Sequence, residues 1–386
     1  MGWREWPACH ILIFLTFLLS GLAINAVQAV LFLAVGTHNR PLFRRINYYL
    51  VWMIYGQLLF LADWWSGSEV RLHLSKDLLA TVGSEHALIV MNHHYEIDWL
   101  YGWMIADRFG QALGNARVCV KSMLRYVPVV GWAWALSDVI FLERSWDKDK
   151  ELMARGVKTL CDYPDPMWYL IFAEGTRYTK EKYEASAKFA EQRGLPNYKH
   201  HLVPRTKGFT HTLSNLKLDK LSTLYDCTLS FPSDASTAPT LSNLLRGRKV
   251  SGDIFVRKID LKSVDASDEE AASKFLYQMY EEKDSLKDYY AKNGRFPTGE
   301  RGTEYEDYVT ATRGPRIASL VNTLALNAVV HFYLTRFMLG CLLSGCVCWM
   351  LVPVAVYGLV FVALKKMIGI TKISKSSSYG NKKKDK

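Results

Sequence analysis

What is missing from this sequence narrows what it can be. The cysteines form neither a disulfide framework nor a zinc spacing: Cys9, Cys119, Cys161, Cys227, Cys341, Cys346 and Cys348 are scattered and odd in number. They read as reduced thiols facing the cytosol. No Asn-x-Ser/Thr sequon occurs in the 386 residues, which agrees with most of the chain avoiding the secretory lumen. There is no arginine-rich arm or nucleic-acid motif, so the net charge of +11 is not read as a nucleic-acid footprint. A basic balance then points to anionic lipid or to a phosphorylated substrate.

Charge is also missing locally. Ile11–Val35 carries none and is long enough to cross a hydrocarbon core, which takes about 20 residues. It is too long for a signal-peptide core and lacks a clear cleavage motif, so it is expected to be retained. Arg40, Arg44 and Arg45 follow, which places that side in the cytosol. A second apolar stretch, Ile46–Trp65, differs in kind: it holds Asp63 and is rich in Tyr and Trp. By sequence it either spans or lies in the interface as an amphipathic helix. Near the other end, Ala318–Gly340 and Cys341–Leu364 read as an apolar hairpin. The expected division is therefore 1–65 as N-terminal membrane segments, 66–316 as a globular domain, 317–364 as a membrane hairpin and 365–386 as a basic cytosolic tail. That tail ends Lys383-Lys384-Asp385-Lys386, a dilysine pattern resembling an endoplasmic-reticulum retrieval signal.

Between the apolar ends, strand-like runs recur at Ala87–Met91, Arg117–Val120, Val139–Leu142, Trp168–Phe172, Ser222–Phe231 and Asp253–Ile259. Helical patterns over Asp147–Leu160 and Ser267–Ala291 lie among them, the latter with Phe275, Leu276 and Tyr280 facing inward. Strands alternating with helices imply an α/β fold, a mixed sheet covered by helices.

The residues that can do chemistry sit where strands end, as α/β sites do. Ala87–Met91 runs into Asn92-His93-His94-Tyr95-Glu96-Ile97-Asp98. On a straight helix, residues five apart lie about 140° from each other. In a turn entering a helix, His93 and Asp98 can face each other, and Asp98 suits the helix N-terminus. A carboxylate orienting an imidazole, with no protein nucleophile, suits a reaction whose nucleophile is a substrate hydroxyl. His94 is also available as a base; only the spacing to Asp98 favours His93. Asp138–Arg144 places Arg144 after a strand, and Lys121 ends another. Phe172-Ala173-Glu174-Gly175-Thr176-Arg177 supplies a tight turn at Gly175, a hydroxyl at Thr176 and a guanidinium fork at Arg177, with Glu174 to fix the fork or a substrate hydroxyl. Lys121, Arg144 and Arg177 together would make an anion site, closed by the basic turn at 202–208. A metal reading of His93, His94, Glu96 and Asp98 is the rival.

With these blocks in order (92–98, 138–144, 172–177 and 202–208), the chain resembles the glycerolipid acyltransferase family. Within that family it looks like the eukaryotic 1-acylglycerol-3-phosphate acyltransferases of gamma/delta type. Ala173 departs from the Pro usual there and removes no chemical group. The resemblance implies His93 and Asp98 as catalytic residues. It implies Lys121, Arg144, Glu174, Gly175, Thr176 and Arg177 as substrate-binding residues, with no metal and no cofactor beyond acyl-CoA as co-substrate. It further implies lysophosphatidic acid as acceptor, phosphatidic acid as product, and a multi-pass protein of the endoplasmic-reticulum membrane whose catalytic domain faces the cytosol. Another lysophospholipid is the alternative acceptor, and a metal-dependent lipid hydrolase the more distant reading. Because acyl-CoA is cytosolic, Ile46–Trp65 is expected not to cross the bilayer by itself.

Overall fold

The computed structural model describes residues 2–143, 145–232 and 237–371. Arg144 and the basic tail from Lys372, with its dilysine end, lie outside the described residues.

Eight strands form one sheet. They are β1 (Glu69–Ser75), β2 (Ala87–Met91), β3 (Ala116–Lys121), β4 (Ile140–Leu142), β5 (Trp168–Ile171), β6 (Thr223–Ser230), β7 (Ser251–Asp260) and β8 (Tyr308–Ala311). Their order is β4-β3-β5-β2-β6-β7-β1-β8. The β4-β3-β5-β2-β6 block is parallel throughout, and β6 to β7 and β1 to β8 are antiparallel. The parallel block therefore delivers the C-terminal ends of five strands to one sheet edge, which is where the site lies. β1 and β8 were not among the strands expected from sequence. Glu69 and Arg71 break the apolar run of β1, and β8 is a short edge strand.

β2 is buried along its whole length. Its residues alternate between the two faces, as strand geometry requires. Ile89 and Met91 join the core shared with the Asp98–Arg108 helix, while Leu88 and Val90 join the core beneath the helices Trp146–Cys161, Thr206–Asn215 and Glu269–Asn293. A strand covered on both sides reads as a continuous apolar run, which is why it is visible in the sequence.

The helix Arg40–Phe60 belongs to the first of these cores. Val51, Ile54, Tyr55 and Leu59 are fully buried with the strands. Its aromatic residues are largely turned inward rather than arranged as a headgroup belt. Tyr48 Oη donates to the Gln111 carbonyl at 2.7 Å, Trp52 Nε1 donates to Asp107 Oδ1 at 3.0 Å, and Tyr55 stacks on Trp103 at 3.8 Å. Arg44 is likewise committed to the domain, pairing with Asp138 at 3.1 Å and donating to the Asp162 carbonyl at 2.9 Å. Among the described residues, three helices are long and apolar enough to cross a membrane: Pro7–Gly36, Ile317–Leu342 and Val347–Lys366. The first runs antiparallel to Arg40–Phe60, joined to it by Ser20–Gln57 and Gln28–Asn47 hydrogen bonds at 3.2 and 2.7 Å.

Candidate active site

Asn92 clamps the end of β2 to β6. Its Nδ2 donates to the Leu229 carbonyl at 3.0 Å, and its Oδ1 accepts the Leu229 N–H at 2.7 Å. The chain then turns, and Asp98 opens the next helix. One oxygen of Asp98 organises the whole turn. Oδ2 lies 3.0 Å from His93 Nδ1 and accepts the backbone N–H groups of His94 and Tyr95 at 2.6 and 2.8 Å. With Nδ1 held as the donor, Nε2 is the His93 atom left to accept a proton. The ring lies flat against Phe172 at 4.2 Å and 22°. The Asp98 side chain is 1% exposed and that of His93 19%, so the carboxylate is sealed while the imidazole reaches solvent.

His94 faces the other way. Its ring stacks on Tyr178 at 4.8 Å and meets His201 edge-on at 5.8 Å, and its Nδ1 lies 3.3 Å from Asn92 Nδ2. Burial, with Lys287 nearby, holds this imidazole well below the ordinary range, in its neutral form. Of the two adjacent histidines, only His93 meets Asp98 through its side chain.

The turn after β5 lies beside this pair, because β5 is the strand next to β2. Glu174 Oε1 accepts the backbone N–H of His93 at 3.0 Å. Burial pushes its carboxyl up to about 8, opposed by hydrogen bonds from the backbones of His93 and Leu202. Gly175 has a φ of +68°, and a Cβ there would lie 2.9 Å from Arg205 Cδ. Only glycine takes this conformation without strain, and it also makes the space that Arg205 fills. The Arg205 N–H bonds to the Ala173 carbonyl at 2.7 Å, so the 202–208 turn abuts the Glu174 turn. Thr176 Oγ1 accepts from Lys182 Nζ at 2.7 Å. Arg177 is half-buried, and burial lowers its guanidinium from the ordinary range, opposed by the charges of Glu96 and Asp98. Lys121 is exposed at the end of β3, beyond β5 on the same sheet edge. Glu96, which the metal reading needs beside His93, accepts the Leu241 N–H at 2.7 Å.

The chain is similar to known proteins over nearly its whole length. A family model described as "Acyltransferase" matches residues 69–229, and one described as "Acyltransferase C-terminus" matches 243–326. The human 1-acyl-sn-glycerol-3-phosphate acyltransferase delta is 38% identical over 373 residues, covering 97% of this chain and 94% of that protein. The delta protein of Bos taurus is 37% identical over the same shares. The human gamma protein is 37% identical over 372 residues, 96% of this chain and 95% of that protein. The chain belongs to the 1-acyl-sn-glycerol-3-phosphate acyltransferase family.

In this acyltransferase, part of the polar floor was not anticipated from the sequence. The helix Glu269–Asn293 turns Lys283, Asp284 and Lys287 toward the strand ends. Lys283 is fully buried, donates to the Val90 and Cys227 carbonyls at 3.1 and 2.6 Å and pairs with Asp226. Asp284 Oδ1 lies 3.0 Å from Nδ1 of buried His201. Burial pushes the Lys287 ammonium down to about 8, opposed by the charges of Asp98, Glu174 and Asp284. A signal did exist. Lys283 continues the inward stripe of Leu276 and Tyr280 at helical spacing, where a lysine demands a buried anion.

Proposed function

We propose that this acyltransferase esterifies the sn-2 hydroxyl of lysophosphatidic acid with the acyl group of acyl-CoA, yielding phosphatidic acid and CoA. The observation that carries the reading is the His93 imidazole, oriented by Asp98 and partly exposed at the parallel strand ends. His93 Nε2 takes the hydroxyl proton as the oxygen attacks the thioester carbonyl. The C–S bond breaks, and the imidazolium returns the proton to the leaving CoA sulfur. Asp98 keeps Nδ1 protonated and steadies the imidazolium in between. Arg177, Lys121 and Arg144 act on the acceptor phosphate, and Glu174 with Gly175 and Thr176 forms the turn that presents Arg177. No metal or further cofactor takes part. Another lysophospholipid as acceptor keeps the same chemistry.

The protein works from the endoplasmic-reticulum membrane, with its catalytic domain in the cytosol where acyl-CoA is found. Supporting this are the apolar helices at both ends and the fully buried face of Arg40–Phe60, which ties that segment to the domain instead of leaving it free to cross alone. Protection of the domain from protease in sealed microsomes is the result against it. The activity is tested with purified enzyme on a panel of lysophospholipids and acyl-CoAs, with His93→Ala as blank. Normal turnover by well-folded His93→Ala protein overturns the mechanism.

A further inference from the structure

Between β3 and β4 the chain makes an excursion with an unusual surface. Met123, Tyr126 and Trp132 are 66%, 79% and 43% exposed, three large apolar or aromatic side chains within ten positions. The excursion is nevertheless rigidly built. Gly131 sits so close to the Leu124 carbonyl that a Cβ there would come within 2.1 Å of it. Val129 is fully buried with a φ of 69°, a left-handed conformation that a β-branched residue adopts only when its surroundings impose it.

Those surroundings include the first candidate membrane helix. Val129 packs on Gly21, midway along Pro7–Gly36, and a Cβ on Gly21 would fall 2.3 Å from Val129 Cγ1. Trp134 just beyond donates to Tyr55 Oη at 2.7 Å, tying the excursion to the second helix as well. The Pro7–Gly36 helix keeps its own apolar face exposed through Leu19, Val27 and Leu33. A helix of this hydropathy meets lipid on that face. A segment seated against its midpoint, with three exposed apolar side chains of its own, adjoins the same lipid.

We propose that Ser122–Trp132 is a membrane-inserted arm. Met123, Tyr126 and Trp132 enter a phospholipid bilayer beside the Pro7–Gly36 helix. Lys121, at the arm's base, is thereby held at the depth of the lipid headgroups. The Arg125 guanidinium lies over the Phe141 ring at 4.6 Å, at the root of the arm rather than at its tip. Insertion follows from packing and exposure alone. Its consequence for Lys121 rests on the proposed lysophosphatidic acid reading, since it puts the phosphate-binding cation where a lipid phosphate resides.

The test uses the full chain reconstituted in phosphatidylcholine vesicles, with p-benzoylphenylalanine placed at Tyr126, at Leu33 or at Glu281. Leu33 lies on the exposed face of the membrane helix, and Glu281 is exposed on the helix covering the opposite sheet face. Irradiation is expected to give phosphatidylcholine adducts at position 126 as abundant as at 33, and none at 281. Labelling at 126 no higher than at 281, or a cross-linked dimer of the chain in place of the lipid adduct, overturns the insertion. This readout needs no enzymatic activity, so it stands apart from any failure of the substrate reading. For the consequence, Tyr126→Asp is expected to lower kcat/KM for vesicle-borne long-chain lysophosphatidic acid about tenfold, as expected when an apolar anchor becomes charged at a membrane surface. With a water-soluble short-chain acceptor, kcat/KM is expected to stay unchanged. An equal loss with both acceptors, or with neither, overturns the link between the arm and the site.

Discussion

Glu174 accepts the backbone N–H of His93 at 3.0 Å, so the turn after β5 grips the turn after β2 through one buried carboxyl group. The chain joins two motifs 81 residues apart by this contact. Because burial pushes Glu174 up to about 8, a neutral side chain of the same shape reproduces its role near pH 7. Glu174→Gln is expected to keep at least about a tenth of kcat. Glu174→Ala leaves a buried N–H unsatisfied, at about 1–3 kcal/mol, and should lose far more. Equal loss in both, measured as CoA release, would show that the carboxylate charge itself is needed.

The two histidines should separate cleanly. His93→Ala and Asp98→Asn are each expected to lower kcat by about 10³-fold, within the range for losing a general base or its orienting group. His94→Phe keeps a ring against Tyr178 and should retain kcat within about tenfold, because a single bulky ring substitution at a packed site chiefly affects stability. A larger loss of kcat in folded His94→Phe than in His93→Ala would reverse the assignment.

Lys283 is a matter of folding. Lys283→Met takes one of two cations from Asp226, whose side chain is fully buried, leaving it to Arg257 alone, and is expected to destabilise the protein by about 1–3 kcal/mol. Adding Asp226→Asn removes the under-compensated buried charge, while Arg257 keeps its pairing with Glu282, and should recover part of the loss in thermal midpoint. No recovery would mean that the lysine's bonds to the Val90 and Cys227 carbonyls dominate.

Acid should loosen the floor of the site through His201. Burial lowers His201 from 6.5 to about 4. Between those values the unfolded chain binds the proton and the folded chain does not, so stability falls as pH drops through this window. At pH 5.5 the loss from His201 is on the order of 1 kcal/mol relative to pH 7.5. The His201→Gln variant should show a flatter midpoint-against-pH curve between 7 and 5. A slope identical to that of the parent would rule out His201 as the source.

Gly175→Ala combines a left-handed φ with a contact to Arg205 Cδ. It is expected to cost about 1–2 kcal/mol from backbone conformation alone. It should also raise KM for the phosphate-bearing acceptor more than KM for acyl-CoA. An unchanged acceptor KM would separate this turn from phosphate binding.

Much of this was legible in the chain because it rests on local physics. β2 and β5 stand out as short apolar runs because their neighbours bury both faces, and the Asp98 helix shows its start through an acid at its N-terminus. The sequence alone determined that His93 and Asp98 share one turn, that Gly175 makes a tight bend, and that apolar helices flank the globular domain. The sequence favoured His93 over His94 only by its spacing to Asp98 and by family resemblance; the tertiary structure shows the different surroundings of the two rings, one meeting Asp98, the other Tyr178 and His201. It also decided that the Tyr- and Trp-rich Arg40–Phe60 helix packs into the domain core, a choice that amphipathic composition leaves open. Lys283, Lys287 and His201 became part of the site because a helix nearly two hundred residues from β2 crosses its end. Such long-range contacts follow from the packing of the whole chain, and local sequence carries little trace of them.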